Sequence, residues 1–328
     1  MKKIQLTCAH AIVKYLISQK ILVDGKKLPL FAGAFGIFGH GNVACLGQAL
    51  EENKKELPTW RGHHEQNMAL TGIAFSRAKR RKQIFVATSS VGPGSTNMLT
   101  AAAVAMSNRL PMLFLPGDTY ANRMPDPVLQ QVEHFNNPGI TQNDAFKYVT
   151  RYFDRITRPE QILQTFPQAI QTMIDPADCG PACISLSQDV QGETFDYPEE
   201  FFNEKIHTIR RPRPDDYQIK QAVETIKKSK NPIIISGGGV FYSDAMKELS
   251  EFAKKHNIPT AQTVMGYSTM KKDDPYFLGA IGGFGGKATN NFMKKTDLAI
   301  AVGTKLADFT TGSWANFENP NFKLVSIN

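Results

Sequence analysis

The sequence predicts an α/β protein made of two doubly wound parallel-sheet domains, and three observations predict it. Short apolar runs of strand length alternate with helical patterns almost throughout, the order that buries a parallel sheet between layers of helices. Glycine-rich turns follow several of these runs directly, as in open sheets whose ligands bind beyond the strand ends. The alternation is interrupted once, over about 191–215, by a stretch rich in Pro, Glu and Arg, and then restarts. Domains over 1–190 and 216–328, joined by a linker at 191–215, follow from this; at roughly 150 residues per domain, 328 residues suit two.

In chain order, residues 5–20 have helical periodicity, with Ala9, Ile12, Val13, Leu16 and Ile17 on one side. A buried strand is expected over 28–34, then a loop with glycines at 36, 39 and 41, then a helix that Asn42 could cap. One capping glycine would be ordinary; three allow close approach of a ligand or another chain. His40 in that loop reads either as a substrate contact or as a hydrogen-bonded structural histidine. A strand over 83–88 runs into Ser89–Asn97 (SSVGPGSTN) and an alanine-rich helix over 98–106. Another apolar strand over 111–116 leads to a polar segment, 120–145, of a length that is more often functional than idle. A helix over 159–175 and a strand over 181–186 close the first unit. The second has helices over 216–228 and 243–256, with strands over 232–236, 259–264, 298–302 and 323–327. Gly237–Gly239 and the GAIGGFGG of 279–286 are glycine-rich, but neither has the spacing of a dinucleotide fingerprint.

Composition narrows the function classes. Hydrophobic content of 41% and charged content of 21% describe an ordinary globular protein. The net charge of +8 is concentrated at Lys79–Lys82, which closes a predicted helix, and at Arg210–Arg213 in the Pro-rich stretch. Neither forms the basic stripe with exposed aromatics that a nucleic-acid partner requires. Cys8, Cys45, Cys179 and Cys183 include no CxxC pair, so neither a zinc site nor a disulfide framework is expected. The apolar N-terminal stretch is broken by His10 and Lys14 and no small-residue cleavage site follows it. No apolar run approaches the ~20 residues that span a bilayer. The expected location is a reducing cytoplasm.

The chain is organised around Trp60–Lys79. A short strand ends at Gly62, a polar turn follows, and a helix begins near Glu65, with Leu70, Ile73, Ala74 and Arg77 on one face and Ala69, Gly72 and Ser76 on its neighbour. Glu65 is thereby placed at a strand-to-helix junction beside two histidines. Taken alone, it could serve only to complement the helix dipole.

Taken together, His64-Glu65-Gln66 before a small-residue helix and Thr88–Asn97 (TSSVGPGSTN) resemble the thiamine-diphosphate enzymes of the acetolactate synthase type. NPIIISGGGV, IPTAQTVMGYS and TDLAIAVGTKLAD, further along, resemble that family's central domain, so the likeness covers essentially the whole chain. GIFGHGNVACLGQAL (36–50) and LPGDTYANRMPDPVLQQVEH (115–134) are similar to the branch that hydrolyses a ring carbon–carbon bond of a cyclic polyol dione in inositol catabolism.

The resemblance implies a pyrimidine-binding domain over 1–190 and a Rossmann-like central domain over 216–328 that stops short. The family's third domain, whose GDG motif binds magnesium and diphosphate, is expected to lie outside this sequence; no GDG occurs in it. The cofactors implied are thiamine diphosphate and Mg2+, both needing that further domain, with no metal ligand among these residues. Glu65 matches the carboxyl that activates the cofactor's aminopyrimidine. His40 and His64 are implied as proton-transfer groups, Gly92, Gly94 and Asn97 as the cofactor-facing crest, and His40, Gln130 and Gln131 as substrate contacts. The implied partners are a small cyclic polyol dione and either a second copy or a partner chain supplying the diphosphate domain. An acetolactate-synthase-like lyase, a non-catalytic or partner-requiring subunit, and a nucleotide-binding module built on Gly237–Gly239 are the alternatives.

Overall fold

The computed structural model describes residues 2–124, 128–132 and 134–328. The chain divides into two units, one ending at Arg211 and one beginning at Pro212.

The first unit is built on six strands, all parallel, in the order Thr59–Arg61, Phe31–Ile37, Ile84–Ser89, Leu113–Asp118, Ala182–Ser187, Tyr152–Ile156. Ile84–Ser89, Leu113–Asp118 and Ala182–Ser187 are buried at every position, which explains their continuous apolar runs: helices cover both faces of a parallel sheet. On one face Phe31, Val86, Leu115 and Ile184 pack with Ile12 and Leu16 of helix Cys8–Ser18 and with Phe166 and Ile170 of helix Ile162–Ile174. Chain order reverses between Phe31–Ile37 and Ile84–Ser89: the chain steps outward to Thr59–Arg61 before returning on the other side. The carboxyl ends of those two strands are therefore the switch point, where an open α/β sheet leaves a crevice.

Several expected elements differ in detail. Residues 5–7 belong to strand Lys3–Thr7, and the helix starts only at Cys8, where Thr7 Oγ1 accepts from His10 N at 3.3 Å. The single strand expected over 28–34 is two, Lys26–Pro29 and Phe31–Ile37. The stretch expected as a linker over 191–215 is partly sheet. Thr194–Pro198 pairs antiparallel with Lys3–Thr7, and Lys205–His207 pairs parallel with Gln19–Val23. These strands are short and their partners almost two hundred residues away, so periodicity within a local window does not register them. Strands Tyr152–Ile156 and Phe277–Ala280 and helix Lys287–Lys295 were likewise not expected.

The second unit is a five-stranded parallel sheet, ordered Phe277–Ala280, Thr260–Gln262, Pro232–Ser236, Leu298–Val302, Lys323–Ile327. Side chains alternate across it. Ile233, Ile235 and Ala299 pack with Met293, whereas Ile234, Leu298 and Ile300 pack with Val240, Leu249 and Ala253. Its switch point lies between Pro232–Ser236 and Leu298–Val302, at Gly237 and Gly303. The glycines expected as a possible phosphate turn are used here by the fold itself. Gly237 N donates to Val302 O at 2.8 Å and Gly239 N to Gly303 O at 2.9 Å, and a Cβ on Gly237 would collide with Gly303 O.

Candidate functional site

The site develops at the switch point of the first unit. Helix Glu65–Ala78 begins there, with its Met68, Ala69, Gly72, Ile73 and Ser76 side buried. The stripe of small residues therefore faces the protein, whereas Ala74 and Arg77, expected on the apolar face, are exposed. Glu65 is the first helical residue, half-buried where free N–H groups favour negative charge. Its Oε2 accepts from Asn97 Nδ2 at 2.7 Å. Its Oε1 lies 3.5 Å from the place a Cβ on Gly94 would occupy, and Ser90 Cβ lies 3.4 Å from the same place. Glu65, Ser90 and Gly94 thus border one small space, left open because residue 94 carries no side chain, while Asn97 holds the other oxygen of Glu65.

Four of the expected residues are brought together here by direct contact or through the crest: Glu65, Asn97, Gly94 and Gly92. Gly92 adopts φ +68°, and a Cβ on it would collide with Gln130 O, so the polar segment returns to lie on the crest. Gln142, oriented to satisfy both neighbours, donates to Gln131 O at 2.9 Å and accepts from Gly92 N at 3.1 Å. Gln131 is buried with Nε2 unpartnered, whereas Gln130 is exposed with φ +59°. His64 is exposed and caps the helix, its Nδ1 accepting from Asn67 N at 3.4 Å. His40 is half-buried, with Nε2 inaccessible to solvent and unpartnered.

Asn42 is not the helix cap expected of it. It is fully buried, and its Nδ2 donates to Thr88 Oγ1 at 2.7 Å and to Ser89 O at 2.9 Å, while its Oδ1 accepts from Gln191 Nε2 at 2.9 Å. One amide thereby ties the loop bearing His40 to the strand on the far side of the switch point. A cap and a buried crosslink ask for the same residue type, so sequence did not separate them.

The long polar segment is held at both ends. At its start Thr119 N donates to Asp118 Oδ1 at 2.8 Å, and Ala121 N and Asn122 N donate to the Asp189 carboxylate at 2.9 and 3.1 Å. At its end Arg155 donates to Asp118 Oδ2 at 2.7 Å, to Thr141 Oγ1 at 2.7 Å and to Asp144 Oδ1 at 3.0 Å. Burial works against the Arg155 charge, but the Asp118 and Asp144 carboxylates outweigh it and raise its pKa. One guanidinium thus clasps both ends of the segment that reaches Gly92. The expectation over 125–127 and at Glu133 lies outside the described residues. A groove of about 510 Å3 lies beside the start of the segment, but Asp189 within it is already engaged by the two backbone donors.

The thiols take no part. Burial pushes Cys8 up to about 12 and Cys179 up to about 11, so neither is a thiolate at neutral pH. Among the described residues no group of three or more His, Cys, Asp or Glu could hold a metal ion, and no helix is long and apolar enough to cross a membrane.

Two family models match the chain. Residues 31–137 match the thiamine pyrophosphate enzyme N-terminal TPP binding domain, and residues 219–328 match the thiamine pyrophosphate enzyme central domain. Among curated proteins, the 3D-(3,5/4)-trihydroxycyclohexane-1,2-dione hydrolases of Clostridium botulinum and Clostridium tetani are each 48% identical over 328 residues. The hydrolase of that name numbered 1 in Bacillus cereus has the same identity. In each case all of this chain is covered and 51% of the relative, so the chain spans about half the length of the curated relatives it matches. The first of the two matched segments contains Glu65, Gly92, Gly94 and Asn97, and the second contains the whole parallel sheet of the second unit. This chain belongs to the thiamine pyrophosphate enzymes, of which it carries the N-terminal binding domain and the central domain.

Proposed function

We propose that this chain forms the pyrimidine-binding and central domains of a hydrolase that depends on thiamine diphosphate and opens 3D-(3,5/4)-trihydroxycyclohexane-1,2-dione to 5-deoxy-glucuronate. The observation that carries this reading is the Glu65 carboxyl, held by Asn97 at the switch point with one oxygen turned toward the space over Gly94. Identity of 48% along the whole chain to relatives bearing that hydrolase name supports the choice of substrate.

The residues present fit the cofactor's pyrimidine. A flat heteroaromatic ring needs a proton-sharing carboxyl and a surface without side chains, and Glu65 beside Gly94 offers both. When bound, thiamine diphosphate supplies a carbon nucleophile and an electron sink for breaking a bond between oxygenated carbons. Asn97 Nδ2 occupies Oε2 of Glu65, so Oε1 is the atom left to share a proton with a ring nitrogen. His40 is the proposed proton-transfer group toward a substrate hydroxyl, a reading supported by an Nε2 that no hydrogen bond of the fold engages. His64, with Nδ1 engaged at the helix cap, offers Nε2 from an exposed ring. Gln130 and Gln131 contact the substrate from the segment packed on Gly92. Mg2+ and the diphosphate are assigned to residues beyond these, from a further domain or subunit, which makes a homo-oligomer or a partner chain part of the proposal. The cytoplasm is the proposed compartment, supported by four cysteines that form no disulfide.

Isothermal titration with thiamine diphosphate and Mg2+ of the assembly in which a diphosphate-binding domain or subunit completes this chain, alongside Glu65→Gln, tests the reading. Affinity should fall at least tenfold in the variant with its thermal midpoint kept; equal affinities would refute the role of Glu65. In a turnover assay the variant should lose about 10²- to 10⁴-fold. Turnover of pyruvate but not of the cyclic dione would favour the acetolactate-synthase-like alternative.

A further inference from the structure

Buried polar atoms without partners are uncommon in folded proteins, and each calls for water or a ligand. Among the described residues, three such atoms belong to the loop that follows Phe31–Ile37 or to side chains that touch its backbone: His40 Nε2, Ser90 Oγ and Gln188 Oε1. Ser90 presses against Gly39 so closely that a Cβ there would collide with its hydroxyl, and it shares with Glu65 the space over Gly94. Ser90 therefore bridges from the carboxyl to the His40 loop. Gln188, from the turn after strand Ala182–Ser187, donates its Nε2 to His40 O at 3.2 Å. That bond fixes the amide and leaves Oε1 as the unpartnered atom.

We propose that Ser90 Oγ and Gln188 Oε1, together with His40 Nε2, form a recognition site for vicinal hydroxyls of a polyhydroxylated six-membered cyclic ketone. A ring hydroxyl both donates and accepts, and the set matches it: Gln188 Oε1 only accepts, Ser90 does both, and the free imidazole nitrogen does whichever its tautomer allows. The site rests on the proposed function for its substrate class, and adds that the chain reads the ring by its hydroxyls as well as by its carbonyls. A ring lacking those hydroxyls leaves the same three atoms unpaired, which is how a polar site rejects a bare analogue.

The test compares binding of the trihydroxylated cyclohexane-1,2-dione with that of unsubstituted cyclohexane-1,2-dione to the full chain by titration. The chain should prefer the hydroxylated ring by at least tenfold. Ser90→Ala removes a hydroxyl with no hydrogen bond in the fold, and should cut that preference about 5- to 10-fold, the worth of one hydrogen bond, with the bare ring bound as before. Gln188→Leu removes the acceptor and should lose most of the preference. An unchanged preference in Ser90→Ala, or a wild-type chain that fails to distinguish the two rings, would overturn the site. Thiamine diphosphate binding to the completed assembly separates the two readings. If it depends on Glu65 while ring preference is absent, only the hydroxyl site fails. If ring preference follows Ser90 while thiamine binding ignores Glu65, only the cofactor reading fails.

Discussion

The two sheets share a plan and use it differently. Each is parallel and reverses its strand order between two inner strands, so each has a switch point of the kind where α/β proteins bind ligands. In the first unit the strand ends there carry Glu65, Asn97 and several polar atoms without partners, around a glycine that leaves space. In the second, Gly237 and Gly239 bring their backbone onto Gly303, and backbone hydrogen bonds fill the same topological position. Glycines at a strand end thus do opposite things, keeping space open in one crest and closing it in the other. Topology provides the crevice, and the neighbouring side chains decide whether chemistry occupies it.

The sharpest way to break this comparison is at its two centres. Glu65→Gln should abolish turnover by two orders of magnitude or more with the thermal midpoint kept, because the carboxyl makes its structural contact through one oxygen only. The next largest effect belongs to the clasp of the first unit. Arg155→Met strands the fully buried Asp118 without its ion partner and should cost about 3–5 kcal/mol in denaturant unfolding. An Asp118→Asn, Arg155→Met double variant should recover part of this; no recovery would show that the charge pair is not the cause.

Gly237→Val addresses the other crest. It should destabilise the second unit by about 1–3 kcal/mol through overpacking against Gly303 and Thr304. Thiamine binding through Glu65 should stay intact, and a variant as stable as wild type would mean the crest is not closed. A further effect comes from acid. Burial, and then the charge of Lys205, lower the pKa of His207 from 6.5 to about 4 in the fold, where its ring bonds Gln19 Oε1 at 2.9 Å. Between those values the unfolded chain binds a proton that the folded one refuses. Its contribution to stability is therefore full above pH 6.5 and is lost as pH falls toward 4. His207→Gln should flatten the decline of thermal midpoint over that window.

Much of this was legible before any fold was known. The inner strands of both central sheets are apolar because they are buried on both faces, and that burial leaves its mark on local composition. Strands Pro232–Ser236 and Leu298–Val302 match their expected bounds for that reason. The start of a helix at Glu65 and the polar length of the segment after Leu113–Asp118 were legible too, since turn chemistry and missing periodicity are local signals. The motifs around them sufficed to identify the family.

Sequence by itself thus determined the class of sheet, the position of the carboxyl at a strand-to-helix junction, and the family. Tertiary structure alone decided which groups face one another. Gln188 reaches a carbonyl 148 residues away, Asn42 a hydroxyl 46 away, and Asn97 the carboxyl of a residue 32 away. It also decided that Thr194–His207 contributes strands to the first unit, and that Gly237 closes a crest as Gly94 opens one. The physical reason is the same in each case. Period and propensity act over a few residues, whereas a buried hydrogen bond or a backbone contact depends on what another part of the chain brings to the same place.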